Sequence, residues 1–82
     1  MQPIDPMIHY GNINKREELE KKGYIFEINA YFCSVHFKGQ VVIDHEQKYS
    51  RCLRQCERDN AYQVHLNMAI EAIKKFESLD IH

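Results

Sequence analysis

The stretch Tyr24–Asp44, YIFEINAYFCSVHFKGQVVID, constrains the fold more than any other part of the chain. Apolar and polar residues alternate along it, and a period of two marks strands with one buried face. Tyr24, Phe26 and Ile28 share one phase, while Tyr31, Cys33, Val35 and Phe37 share the opposite one. A two-residue turn at Asn29-Ala30 reconciles them, setting Ile28 against Tyr31, Phe26 against Cys33 and Tyr24 against Val35 on a single face. A second turn falls at Lys38-Gly39-Gln40. The glycine suits a two-residue turn, which sets Val35 against Val42. A three-residue turn sets Phe37 against Val41 and Val35 against Ile43, keeping all four on the core face, and the hydrophobic pattern selects it. The expectation is a three-stranded antiparallel meander.

The flanks read as helix. NKREELEKKG imitates a capped helix, with Asn14 and Glu17 placed as a capping box and Gly23 where a C′ glycine belongs. Only Leu19 inside it is apolar, so a short, exposed helix is predicted. The preceding MQPIDPMIHYG has two prolines and no periodicity, so residues 1–11 are expected to be extended. From Glu46 the period becomes helical. Tyr49, Cys52, Leu53 and Cys56 form one stripe; Tyr62, Leu66, Ala69, Ile70, Ile73 and Phe76 form a wider one, rotated by roughly 110° from the first. A single helix over 46–79 would also run about 50 Å, against a radius of gyration of about 12 Å for a chain of this size. Asn60, with Gln63 three residues on, offers a cap. The prediction is therefore two helical segments, 46–58 and 61–79 (or one kinked helix), packed on one sheet face.

This is an α+β chain in α-β-β-β-α order, and its 82 residues make a single small domain. In architecture the order resembles double-stranded-RNA-binding domains. Where those carry a basic run at the start of the last helix, this chain reads NAYQVH, and it is not assigned to them. The balance of 11 basic and 12 acidic residues weighs against nucleic acid as a partner, because released counterions supply most of such affinity. It also leaves little self-repulsion to oppose self-association. No apolar run approaches the roughly 18 residues of a membrane helix, and the start lacks the regions of a signal peptide. Three cysteines fit a closed disulfide framework poorly, so a cytoplasmic protein with reduced thiols is expected.

Residues 33–56 hold all three cysteines. Cys33 and His36 alternate to opposite strand faces, but Cys33, His45, Cys52 and Cys56 would converge on the core side and could serve as a structural zinc set. The opposing reading is that the cysteines occupy positions that want small apolar residues, and no cofactor or metal is expected. Cys33 and His45 also form a conceivable nucleophile–base pair, yet burial raises a thiol's pKa and lowers its reactivity. With three well-separated glycines there is no phosphate loop, and no enzyme is expected. Lys48, Arg51, Arg54 and Arg58 would line one helix face, either as a phosphate-contacting edge or as a solvated surface. Ile25, Phe32, His36 and Val42 sit on the outer sheet face among Glu27, Ser34 and Asp44, forming a contact patch unless PMIHY covers them. Val64, Met68, Ala72 and Leu79 make a second, weaker patch on the last helix. Together these patches point to an interaction or regulatory domain, with a protein partner or a homodimer favoured over nucleic acid.

Overall fold

The structure is a computed structural model that describes the backbone of residues 6–79 and the side chains of residues 11–79. Helix α1 spans Pro6–Lys22, strands β1, β2 and β3 span Tyr24–Ile28, Phe32–Phe37 and Gln40–Glu46, and helix α2 spans Gln55–Leu79. The sheet order is β1-β2-β3, antiparallel throughout. The α+β architecture and the α-β-β-β-α order are thus as the sequence implied.

The first helix is longer than expected. Residues 6–11 are helical rather than extended, and Asn14 lies inside the helix instead of capping it; residues 1–5 lie outside the described residues. Pro6 occupies the first helical position, where proline's fixed φ and missing N–H are tolerated. The end at Gly23 is as expected. Its φ of 112° suits a residue without Cβ, and its N–H donates to the Glu20 carbonyl at 3.1 Å. Lys21 and Lys22 in the last turn complement the helix dipole. Leu19 anchors α1, being 1% exposed. Around it, Asn12 donates to Asn67 Oδ1 at 3.3 Å and Arg16 donates to the Tyr62 hydroxyl at 2.6 Å.

Both strand registers differ from expectation in instructive ways. β1 pairs Ile28 with Cys33, Phe26 with Val35 and Tyr24 with Phe37. The turn residues are Ala30-Tyr31 rather than Asn29-Ala30, because the Asn29 side chain accepts hydrogen bonds from the Tyr31 and Phe32 amides at 2.7 and 3.0 Å, an Asx-type turn. The slip is two residues, so every side chain keeps its face. Between β2 and β3 each of the competing turns is realised in part. Lys38 and Gly39 form a two-residue turn with φ of 51° and 79°, as a primed hairpin turn requires. Farther along, Val35 still faces Ile43 and Cys33 faces His45, while His36 faces Val41; the ladder shifts between Val35 and His36. Val42 is therefore the extra residue of a β-bulge.

The C-terminal half is the largest correction. Residues 47–54 are irregular, and α2 then runs unbroken through Asn60, which is not a cap. At about 1.5 Å per residue α2 is roughly 37 Å long, which fits within the 43 Å longest dimension. The mismatch between the two apolar stripes marks a loop before the helix, not a break within it. The main core joins Leu19, Tyr24, Phe26, Val35, Leu66, Ala69, Ile70 and Ile73, with Ile13, Ile28, Phe37, Val42, Ile43, Tyr62 and Phe76 packed against it. Tyr24 stacks on Phe37 at 4.3 Å between centroids. A second cluster of Ala30, Leu53, Ala61 and Tyr49 closes the loop onto the start of α2.

Candidate functional site

The loop 47–54 disperses two of the expected constellations. Lys48, Arg51 and Arg54 lie in it and only Arg58 lies on α2, so they make no helical stripe. Arg51 makes a two-point ion pair with Glu57. Glu57, third in the helix, also accepts from the Arg54 amide at 3.1 Å, which is the back-bonded half of a capping box. The Arg51 hydrogen bonds, followed by the Arg54 amide, hold the Glu57 carboxyl down at about 2. Arg58 donates to the Leu53 carbonyl at 2.8 Å and to Gln55 Oε1 at 2.7 Å. Two of the four cations are thus engaged in holding the loop, which weakens the phosphate-contact reading.

The four sulfur and imidazole ligands are not brought together either. Cys33 is buried on the sheet, whereas Cys52 in the loop and Cys56 in the first turn of α2 are exposed. Among the described residues no three His, Cys, Asp or Glu side chains are grouped to hold a metal ion. What packs against Cys33 is α2, with its thiol 3.8 Å from the Met68 sulfur. Burial pushes the Cys33 thiol up, and Asp44 adds to the effect, so the thiol stays protonated and unreactive.

His65 joins this layer and was not singled out by the sequence. It is 3% exposed, its ring lies 5.7 Å from that of His45, and its Nδ1 is buried without a hydrogen-bond partner. Burial, and next the neighbouring His45, push its pKa down; the carbonyls of Ala61 and Asn29 oppose the shift. The available signal was Ala61–His65–Ala69, a row of i, i+4 positions whose small alanines let α2 approach the sheet.

The outer sheet face is the remaining candidate. Both helices pack on the other face, and α1 does so through Ile13, Arg16 and Leu19, with the Arg16 guanidinium 5.3 Å above the Phe26 ring centre. PMIHY, the alternative cover for the outer face, forms the first turns of α1, and its side chains lie outside the described residues; Ser34, at the centre of the face, is buried. The cross-strand pairs order the face into rows. Ile25, His36 and Val41 form one, Glu27, Ser34 and Asp44 the next, and Phe32 with Glu46 the third. Ile25 is 60% and Val41 59% exposed. Val42, assigned to this patch from sequence, instead packs against the core, and the bulge puts Val41 in its place. Phe32 and His36 are half-buried on this face. Val64 and Met68 are half-buried on α2, with Met68 against Cys33, so the second patch is only partly open; Leu79 at its end is exposed.

Among the depressions on the rest of the surface, two are of comparable size. One, of about 590 Å³, lies between the helices at Ile13, Arg16, Glu20 and Tyr62. The other, of about 630 Å³, lies between the loop and α2 at Tyr49, Leu53, Cys56, Glu57 and Asn60. Neither is lined by a histidine that could serve Cys56 as a base. No helix among the described residues is long and apolar enough to cross a membrane. No family model, no curated protein and no solved structure matches the chain.

Proposed function

We propose that this chain is a small non-catalytic interaction module of the cytoplasm, which binds a protein partner through the outer face of its sheet. The observation that carries the reading is the one-sided packing: α1 and α2 both lie on the inner face, while Ile25 and Val41 stand exposed on either side of His36. Exposed apolar side chains set next to one another on a polar surface are a common mark of a contact site. Free cysteines at positions 33, 52 and 56 support a reducing compartment.

The test is capture of partners from source-cell lysate by the wild-type chain and by an Ile25→Ser/Val41→Ser variant with an unchanged circular dichroism spectrum. Proteins held by the wild type and lost by the variant support the reading; an identical set rejects it. Self-association is the second form of the reading, favoured by exposed Leu79 at the end of α2. Light scattering over a dilution series distinguishes a dimer from a monomer.

A further inference from the structure

The outer face has a charge as well as an apolar row. Glu27 and Asp44 flank Ser34 in the row next to Ile25–His36–Val41, and Glu46 stands beside Phe32 in the third. No lysine or arginine lies on these rows, and among the described residues none of the three carboxylates is in a salt bridge. Of the other described acids, five are matched by bases, Glu18 by Lys15, Glu20 by Arg16, Glu57 by Arg51, Glu71 by Lys74 and Glu77 by Lys22, while Glu17 and Asp59 are in no salt bridge. Three of the five described acids outside any salt bridge thus share one face with the exposed apolar row.

We infer that the occupant of this face is a short basic segment of another protein, with an apolar side chain for the Ile25–Val41 row and a lysine or arginine for the Glu27–Asp44 row. The inference rests on the sheet-face reading above and names its partner class. Three features of the face select this occupant. Phosphate-bearing partners and anionic membranes are repelled by the acids. A second copy meeting face to face would set three carboxylates against three, and like charges brought together across an interface are costly. The area is also small. Three strands about 4.8 Å apart and five residues rising about 3.4 Å each span roughly 14 by 17 Å, near 240 Å². A stable interface buries about 800 Å² per partner, so the face suits a short segment held weakly rather than a permanent subunit.

Row spacing sets the segment's pattern. Adjacent rows are about 6.8 Å apart along the strands, close to the rise of about 6 Å between residues i and i+4 of a helix. An apolar residue followed four positions later by lysine or arginine therefore spans both rows.

The experiment uses two synthetic helical peptides, one of leucine and lysine in this pattern and one with every lysine replaced by glutamate. Each is titrated into the full chain and followed by amide NMR shifts. The lysine peptide should shift the amides of Ile25, Ser34, His36, Val41 and Asp44, and should weaken as salt rises. An E27K/D44K variant that keeps the wild-type spectrum elsewhere should bind it about tenfold less tightly or worse. Equal binding by that variant, or shifts confined to α1 or the loop 47–54, overturns the inference. If the glutamate peptide occupies the outer face as well as the lysine peptide does, the sheet-face reading stands and the basic partner falls. If neither peptide shifts the face, the inference falls; if dilution alone shifts it, the occupant is a second copy.

Discussion

Acidification should weaken the fold through His65. The ring is neutral in the folded chain because burial and His45 disfavour its charge, and its pKa there lies below the ordinary histidine value. The unfolded chain carries an ordinary histidine, so between the two pKa values it binds more protons than the folded chain. Stability from this group is therefore complete above about pH 6.5 and is lost as pH falls through the unfolded value toward the folded one. One such group can impose at most about 1.4 kcal/mol per pH unit, or about 2 kcal/mol between pH 6.5 and 5. His45 is only half-buried, so water screens part of the repulsion and the loss stays below that ceiling. A chain of 82 residues has about 4–12 kcal/mol in all, at about 0.05–0.15 per residue, so a loss of this order is measurable.

The assay is urea unfolding at a series of pH values, comparing the wild type with His65→Leu. Leucine has a similar volume, does not titrate and removes the buried Nδ1 that lacks a partner. Its unfolding free energy should fall less between pH 7 and 5, and at pH 7 it should equal or exceed that of the wild type. Parallel loss in both proteins would refute the reasoning, since the pH dependence would then come from elsewhere. A His45→Gln variant tests the second cause: with the neighbouring charge gone, the wild-type slope should shrink without vanishing.

The remaining expectations each address one element. Glu57→Ala should expose the Arg54 amide to faster hydrogen exchange and loosen residues 47–54; in the wild type the Glu57 carboxyl should titrate near 2 by carbon NMR, so its contribution is kept at neutral pH and lost only as pH falls below about 4.5. Gly23→Ala should lower stability by about 1 kcal/mol, because φ of 112° is strained for alanine. Ile73→Ala should cost about 2–5 kcal/mol in denaturant melts, Ile73 being 1% exposed. Deleting Val42 should leave a regular ladder while losing a core-packed side chain, and cross-strand nuclear Overhauser contacts would show Val35 still opposite Ile43.

How much of this was legible in the chain depended on whether local pattern or distant packing decided the outcome. The three strands and their inner face were readable because Tyr24, Phe26, Val35 and Phe37 alternate without interruption, and a two-residue slip cannot move them to the other face. The core positions Phe26, Val35, Leu66, Ile70 and Ile73 follow from the same periodicities; Ile28, Phe37 and Ile43 are only half-buried because they lie toward the sheet's margins. The start of α1 was not readable, since Ile13 and Leu19 in that helix are anchored by residues tens of positions away. The segment before α2 misled because Tyr49 and Leu53 stand at helical spacing. Leu53 is buried and Tyr49 half-buried against Ala30 and Ala61 in a loop, and tertiary contacts there replace helical hydrogen bonds. The basic stripe and the zinc set both inherited that error.

The outer face shows how two local demands can create a surface neither specifies alone. Lys38-Gly39 favours a two-residue turn, while the apolar run Val41-Val42-Ile43 favours the register of a three-residue one. The bulge satisfies both, and in doing so it turns Val42 toward the core and leaves Val41 opposite His36, one strand away from Ile25. With Val42 in the chain, only a bulge lets β3 both close the tight turn and bring Ile43 onto Val35. The exposed apolar row is therefore tied to the geometry that seats the third strand, and the acids of the next row, Glu27 and Asp44, keep that row soluble by setting charge beside it. A face built this way resists pairing with its own kind yet offers a basic apolar segment two complementary rows, so the charge that protects the surface also selects what covers it.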